Sequence, residues 1–97
     1  MNISEFVWNN DIIEHIARHN ATPEEVEEIC FGKPLIIKSK QPSKGINPIY
    51  YALGRTESGR YLFVMFIYFK RGKAMVVTAR DMDHDEQKYY RRHSNNE

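Results

Sequence analysis

Apolar positions in the first third of the chain recur mainly at helical spacing. Ile3 to Trp8 alternates weakly and reads as a short first strand. Asn9 or Asn10 then serves as a helix N-cap, because an Asn side-chain oxygen accepts from the free N–H groups of a first turn. Ile12, Ile13, Ile16 and Ala17 form one apolar stripe behind that cap. Asn20 suits a left-handed end to the helix, since Asn tolerates positive φ. A second helix starts at Thr22-Pro23-Glu24-Glu25. Thr22 is its N-cap, Pro23 its first helical residue, and Glu25 completes a capping box three residues after Thr22. Val26, Ile29 and Cys30 make its buried side, and Gly32 stops it.

From Leu35 the pattern turns to strands. Leu35-Ile36-Ile37 is short and is followed by a loop, Lys38 to Pro48, rich in Lys, Ser, Pro and Gly. Ile49 to Arg55 is the next strand, and Thr56-Glu57-Ser58-Gly59 a four-residue hairpin loop. Arg60 to Phe69 is apolar on both faces, as expected of a central strand covered on both sides. If alternation holds, Arg60, Leu62, Val64, Phe66 and Tyr68 share a face. Arg71-Gly72 turns the chain into a last strand, Lys73 to Arg80. Asp81 or Asp83 caps a final helix ending in Arg91-Arg92-His93, acids first and bases last as the helix dipole favours. The predicted fold is α+β in the order β-α-α-β-β-β-β-α. It is a small antiparallel sheet with two N-terminal helices packed on it and a C-terminal helix. One domain spans 1–97, with 93–97 as a frayed tail.

Composition narrows what such a domain can do. A chain of 97 residues buries only about 60–65% of its unfolded surface, which excludes an enzyme with its own cofactor domain. At 41% hydrophobic and 12% aromatic residues it can build a core without staples. One cysteine allows no internal disulfide and is too few for a zinc knuckle, so Cys30 reads as a small core residue. The N-terminus has no basic segment followed by an apolar one, as a signal peptide would. The longest apolar run, Tyr61 to Phe69, is about half of a membrane helix. The expectation is a soluble, cytoplasmic protein with no cofactor. The net charge of +1 conceals segregation: residues 1–32 carry −6, residues 33–80 carry +9, and residues 81–97 carry −2. Either a basic sheet surface faces a polyanion, or the helix faces are simply acidic and solvated.

Three arginines concentrate the possible chemistry. Arg55 and Arg60 flank the hairpin loop and should stand opposite each other, where like charges destabilise unless an anion or Glu57 lies between. Arg80 falls on the side of Val76 and Thr78. A cluster of Arg55, Arg60 and Arg80 beside the Thr78 hydroxyl would suit a phosphodiester, because guanidiniums fork onto phosphate oxygens and keep their charge. Pairing with Glu57, Asp81 or the acidic helices would instead make these arginines structural. His15 and His19 stand four apart on one helix face, a spacing that can seat a metal. The Glu of a His-Glu-x-x-His motif is missing and no third ligand is signposted, so no metal is expected. His19 would lie at the helix C-terminus. Of Trp8, Tyr50, Tyr51, Tyr61, Tyr68, Tyr89 and Tyr90, most belong to core or interface and some to base stacking. One of Tyr89 and Tyr90 should face the sheet.

Several segments, in order, resemble the BrnT-type toxins. They are Trp8, Ile13-Glu14-His15-Ile16-Ala17-Arg18-His19 and Thr22-Pro23-Glu24-Glu25-Val26, then Tyr51-Ala52-Leu53-Gly54-Arg55-Thr56-Glu57-Ser58-Gly59-Arg60-Tyr61-Leu62, Thr78-Ala79-Arg80-Asp81-Met82 and Tyr90. The likeness covers about residues 6–92. Asn20-Ala21 stands where many relatives have Gly-Val, and Asn can make the same turn. Such toxins are similar to the RelE superfamily, small metal-independent ribonucleases on a sheet with helices. The resemblance implies a toxin that cleaves RNA, inhibits translation and is neutralised by a BrnA-like antitoxin. Arg60, Arg80, His19 and Tyr90 match the family's positions and are the implied catalytic set. In the mechanism this suggests, a substrate 2′-OH attacks the adjacent phosphate while Arg60 and Arg80 stabilise the developing charge. His19 moves protons. Arg55, Lys70, Arg71, Lys73 and Thr78 hold the RNA. The partners expected are RNA and the antitoxin, in a homodimer or a toxin–antitoxin hetero-oligomer, with no membrane. A catalytically silent domain of the same fold, binding RNA or an acidic protein, is the rival expectation.

Overall fold

Five strands and three helices realise the pattern in a computed structural model that describes residues 2–40 and 47–94. Residues 41–46 of the predicted Lys38–Pro48 loop and residues 95–97 of the predicted tail lie outside the described residues. The elements are β1 (Glu5–Phe6), α1 (Asn10–Ala17), α2 (Pro23–Phe31), β2 (Leu35–Lys38), β3 (Ile49–Arg55), β4 (Tyr61–Tyr68), β5 (Lys73–Asp81) and α3 (His84–His93). The fold is α+β, in the predicted order. Each helix begins as its cap residues dictate. Asn9 Oδ1 accepts from Ile12 N at 2.9 Å, and both Thr22 and Asp83 form complete capping boxes, with Glu25 and Glu86 respectively. Asn20 takes the left-handed conformation, φ 62°, between α1 and α2.

The sheet runs β1-β5-β4-β3-β2. Strands β2 to β5 are antiparallel, but β1 pairs parallel to β5, Glu5 with Lys73 and Phe6 with Ala74. The sheet is therefore mixed rather than antiparallel. Helices α1 and α2 carry the chain from β1 across one face to β2 at the opposite edge, and the antiparallel run β2 to β5 then returns it beside β1. Gly72 makes the close approach. Its φ is +80°, and a Cβ there would stand 2.5 Å from Ser4 Oγ, where Ser4 N donates to Gly72 O at 2.7 Å.

Alternation along β4, the middle strand, divides the interior. Leu62, Val64 and Phe66 join Ile16, Val26 and Ile29 beneath α1 and α2. Phe63 packs on the other face with Leu53 and Met82, flanked by Tyr51, Met65 and Tyr90. The expected cover on both sides is only half realised. The second face is overlaid at one end by α3, a helix with no buried residue. With Tyr89 and Tyr90 as its large apolar side chains, α3 cannot seal a sheet. A bulge completes the arrangement: Met65 pairs with Thr78 but Phe66 with Val76, leaving Val77 unpaired and exposed. Ala74 and Val76 thus stay under α1, while Thr78 and Arg80 turn to the open face.

Candidate functional site

The hairpin register decides where the arginines go. Arg55 pairs with Tyr61, not with Arg60. Thr56 N donates to Arg60 O at 2.9 Å and Thr56 Oγ1 accepts from Arg60 N at 3.0 Å, so Thr56 faces Arg60 and the register is shifted by one residue from the prediction. Arg60 accordingly points to the helix-covered face. It donates to His19 O at 3.0 Å, to Asn20 O, to Glu25 Oε1 at 3.0 Å and to Asp81 Oδ1 at 2.7 Å. The hydrogen bond to Asp81, opposed by burial and reinforced by Glu25, raises its pKa above the ordinary guanidinium value. Each of its three nitrogens is spent on fastening the α1–α2 corner to the end of the sheet.

Arg80 lies on the opposite face. It forks onto Glu86 at 2.8 and 3.0 Å, and its guanidinium sits 4.1 Å above the Phe63 ring centroid. The hydrogen bond to Glu86 outweighs burial and raises its pKa. The predicted cluster of Arg55, Arg60 and Arg80 is therefore not assembled. Arg80 alone shares a surface with Thr78.

That surface is a groove of about 750 Å³ on the half-covered face. Its floor is apolar: Ile37, Tyr51, Leu53, Phe63 and Met65. Thr78 and Arg80 also line it, as do Asp83, Asp85, Glu86 and Tyr89 at α3. The two-residue β1 leaves most of the β5 edge uncovered, and α1 packs against β5. His15 of α1 is half-buried there, with Nε2 3.1 Å from Thr78 Oγ1. The His19 ring stands edge-on to His15 at 5.4 Å but is itself exposed, and its carbonyl serves Arg60. His15, not His19, is the imidazole bonded to the groove wall. Among the described residues no group of three His, Cys, Asp or Glu is placed to hold a metal.

The other predicted residues are dispersed. Lys70 and Arg71 in the β4–β5 connection and Lys73 at the start of β5 lie at the far end of the sheet from Arg80, Lys73 about 23 Å away along β5 at ~3.3 Å per residue. Tyr90 packs on Tyr61, ring centroids 6.0 Å apart, and lines a separate cavity with Arg55 and Lys33. Tyr89, exposed, lines the groove instead. The guanidiniums of Arg55 and Arg91 stand 5.3 and 5.5 Å from the Tyr61 centroid. His15, Tyr61 and Arg91 were not singled out as site residues by the sequence. Only the His15–His19 spacing offered a signal; the contacts of Tyr61 and Arg91 depend on where α3 docks. Burial pushes the Cys30 thiol up to about 12, as for an inert core residue.

No protein-family model matches the chain, and a search of the curated proteins finds no match. No helix among the described residues is long and apolar enough to cross a membrane.

Proposed function

We propose that the chain is a toxin-type endoribonuclease of a toxin–antitoxin pair, BrnT-like, acting in the cytoplasm on RNA laid across the groove. The observation that carries this reading is that Arg80 and Thr78 share the groove lining while the Thr78 hydroxyl is bonded to the His15 imidazole behind it: a guanidinium, a hydroxyl and an imidazole. Glu86 occupies the Arg80 fork with two oxygens, the geometry in which arginine also takes a phosphate. With a phosphodiester in that fork, the 2′-oxygen forms a bond to phosphorus and the bond to the 5′-oxygen breaks. A 2′,3′-cyclic phosphate and a 5′-OH result. The 2′-proton passes through the Thr78 hydroxyl to His15, the leaving oxygen takes a proton from water, and Arg80 stabilises the charge on the non-bridging oxygens. Arg60 supports this chemistry as scaffold.

The test is cleavage of RNA by purified protein in the presence of a chelator, with analysis of product ends. Cyclic phosphate termini, and a loss of about 100-fold or more in Arg80→Ala, are the expected results. Growth arrest on expression, relieved by the neighbouring gene's product, would place it in a toxin–antitoxin pair. No cleavage by the parent protein, with unchanged toxicity for Arg80→Ala, would overturn the reading.

A second reading draws on one observation: both Arg60 and Arg80 are already neutralised by carboxylates. A catalytically silent domain that binds RNA or an acidic protein needs no free guanidinium at a reaction centre. RNA retention without cleavage, weakened by Arg80→Ala, would select it.

A further inference from the structure

We infer that Arg55 and Arg91, gathered about the Tyr61 ring on the far side of α3 from the groove, form a phosphate-binding clamp for single-stranded RNA. This rests on the RNA reading above and adds a second contact site to it. The two guanidinium carbons lie 5.3 and 5.5 Å from one ring centroid, so they cannot be more than 10.8 Å apart. Both cations thus share one ring, and neither forms an ion pair with a carboxylate among the described residues. Among the described residues, Arg55 meets only the Tyr61 ring, and Arg91 adds only a 3.4 Å hydrogen bond to Gln87 Oε1. Arg60 and Arg80 differ sharply, since each is held by a carboxylate at 3.0 Å or less.

Two arginines held close by an aromatic ring repel each other, and an anion shared between them relieves that repulsion. The ring also orients the forks while leaving their N–H groups exposed for bidentate contact. Lys33 adds a third positive charge beside Arg55. Glu28 and Glu57 lie in the same cavity, and the Glu57 N–H donates to Glu28 Oε2 at 2.6 Å. Those carboxylates disfavour an anion on the cavity side, so the phosphate sits toward Arg91. RNA is favoured over an acidic peptide because a strand running over α3 from the groove to the clamp meets an aromatic platform on the groove side: Tyr89, 44% exposed and lining the groove, stacks on His93 at 4.0 Å and 27°. Bases stack on such rings whatever their sequence, whereas acidic side chains gain nothing from them.

The experiment is fluorescence anisotropy of a labelled single-stranded RNA oligomer at several salt concentrations. It compares the parent protein with Arg55→Gln/Arg91→Gln, and with Arg18→Gln/Lys88→Gln as a control of equal net charge. Circular dichroism verifies the fold of each. Losing the shared phosphate should lower the slope of log K against log salt by about 0.7, with affinity falling several-fold at low salt. The control should keep the parental slope. If the parent binds RNA and the Arg55/Arg91 variant keeps its slope, the clamp is overturned while the groove reading stands. If the parent binds no RNA, both fall. If the variant instead loses binding of a polyglutamate peptide while RNA binding persists unchanged, the site belongs to an acidic protein and the RNA assignment is overturned.

Discussion

Arg60 and Arg80 look equivalent in the sequence, each a cation at the end of a strand, yet their neighbours give them different work. Arg60 spans two backbone carbonyls and two carboxylates, with its side chain 22% exposed. Truncating it strands those acceptors at the α1–α2 corner, so Arg60→Ala should cost about 1–3 kcal/mol, the lower part of that range reflecting solvent screening. A lowered urea midpoint with unchanged denaturant slope would show it, and Arg60→Lys should recover only part because one ammonium cannot reach all four partners. Alternation in the sequence did place Arg60 with Leu62 and Val64, correctly. For Arg80 it held with Thr78 but failed with Val76, because the bulge at Val77 resets the faces. Cys30 gives a residue-scale prediction of another kind. Its thiol stays protonated in the folded chain up to about pH 12, whereas an unfolded thiol ionises from about pH 8.5–9. The unfolded state is thus favoured as pH rises between these values, by up to ~1.4 kcal/mol per pH unit. Below pH 8 this contribution is fully present. Alkylation of Cys30 at pH 8 should track global unfolding; rapid labelling of the native protein would refute the buried placement.

Helix α2 shows how caps and close approach set an element. Glu25 closes the capping box and also receives Arg60, joining a local signal to a tertiary one. Beyond it, Gly54 of β3 lets α2 settle on the sheet: a Cβ there would come within 2.7 Å of Ile29 Cγ2 and 2.9 Å of Cδ1. Gly54→Ala should therefore destabilise by about 1–3 kcal/mol through overpacking. Ile29→Val, which removes the Cδ1 methyl but keeps the nearer Cγ2, should restore part of the loss in the double variant. Additive effects of the two substitutions would deny the contact. The elements were readable because caps, Pro23, Asn20 and the turn at Arg71-Gly72 are local chemistry. Parallel pairing of β1 was not, since Glu5 and Lys73 are brought together only by the path of the two helices and three strands between them. Nor was the His15–Thr78 contact, which depends on α1 lying along an edge that a two-residue strand leaves bare. A candidate site assembled from elements that meet late in sequence is legible in its residue types and not in its geometry.

At the scale of the whole molecule, the near-zero net charge resolves into two differently finished sheet faces. One is sealed by α1 and α2; the other is an open apolar groove guarded at one end by α3. The Arg80–Glu86 pair links α3 to the sheet and at the same time fills the fork that the RNA reading assigns to phosphate. These two roles make opposite demands on Glu86. Glu86→Gln keeps size and some hydrogen bonding but removes the competing charge, so α3 should dock less firmly while RNA gains access to Arg80. The pair is partly solvated, its side chains 35% and 22% exposed, which limits the stability cost to about 1 kcal/mol or less, a fall in Tm of roughly 4–8 °C at most for a chain of this size. RNA affinity at low salt should rise several-fold. Asp85→Asn removes an equal charge from the same groove without touching Arg80, and long-range repulsion alone would make the two variants equivalent. A larger gain for Glu86→Gln, absent when Arg80→Ala is added, is the outcome expected of a carboxylate that occupies a phosphate's place. Equal gains would reduce Glu86 to one more negative charge near the groove, and a loss of RNA binding would mean that α3 must stay docked for RNA to bind.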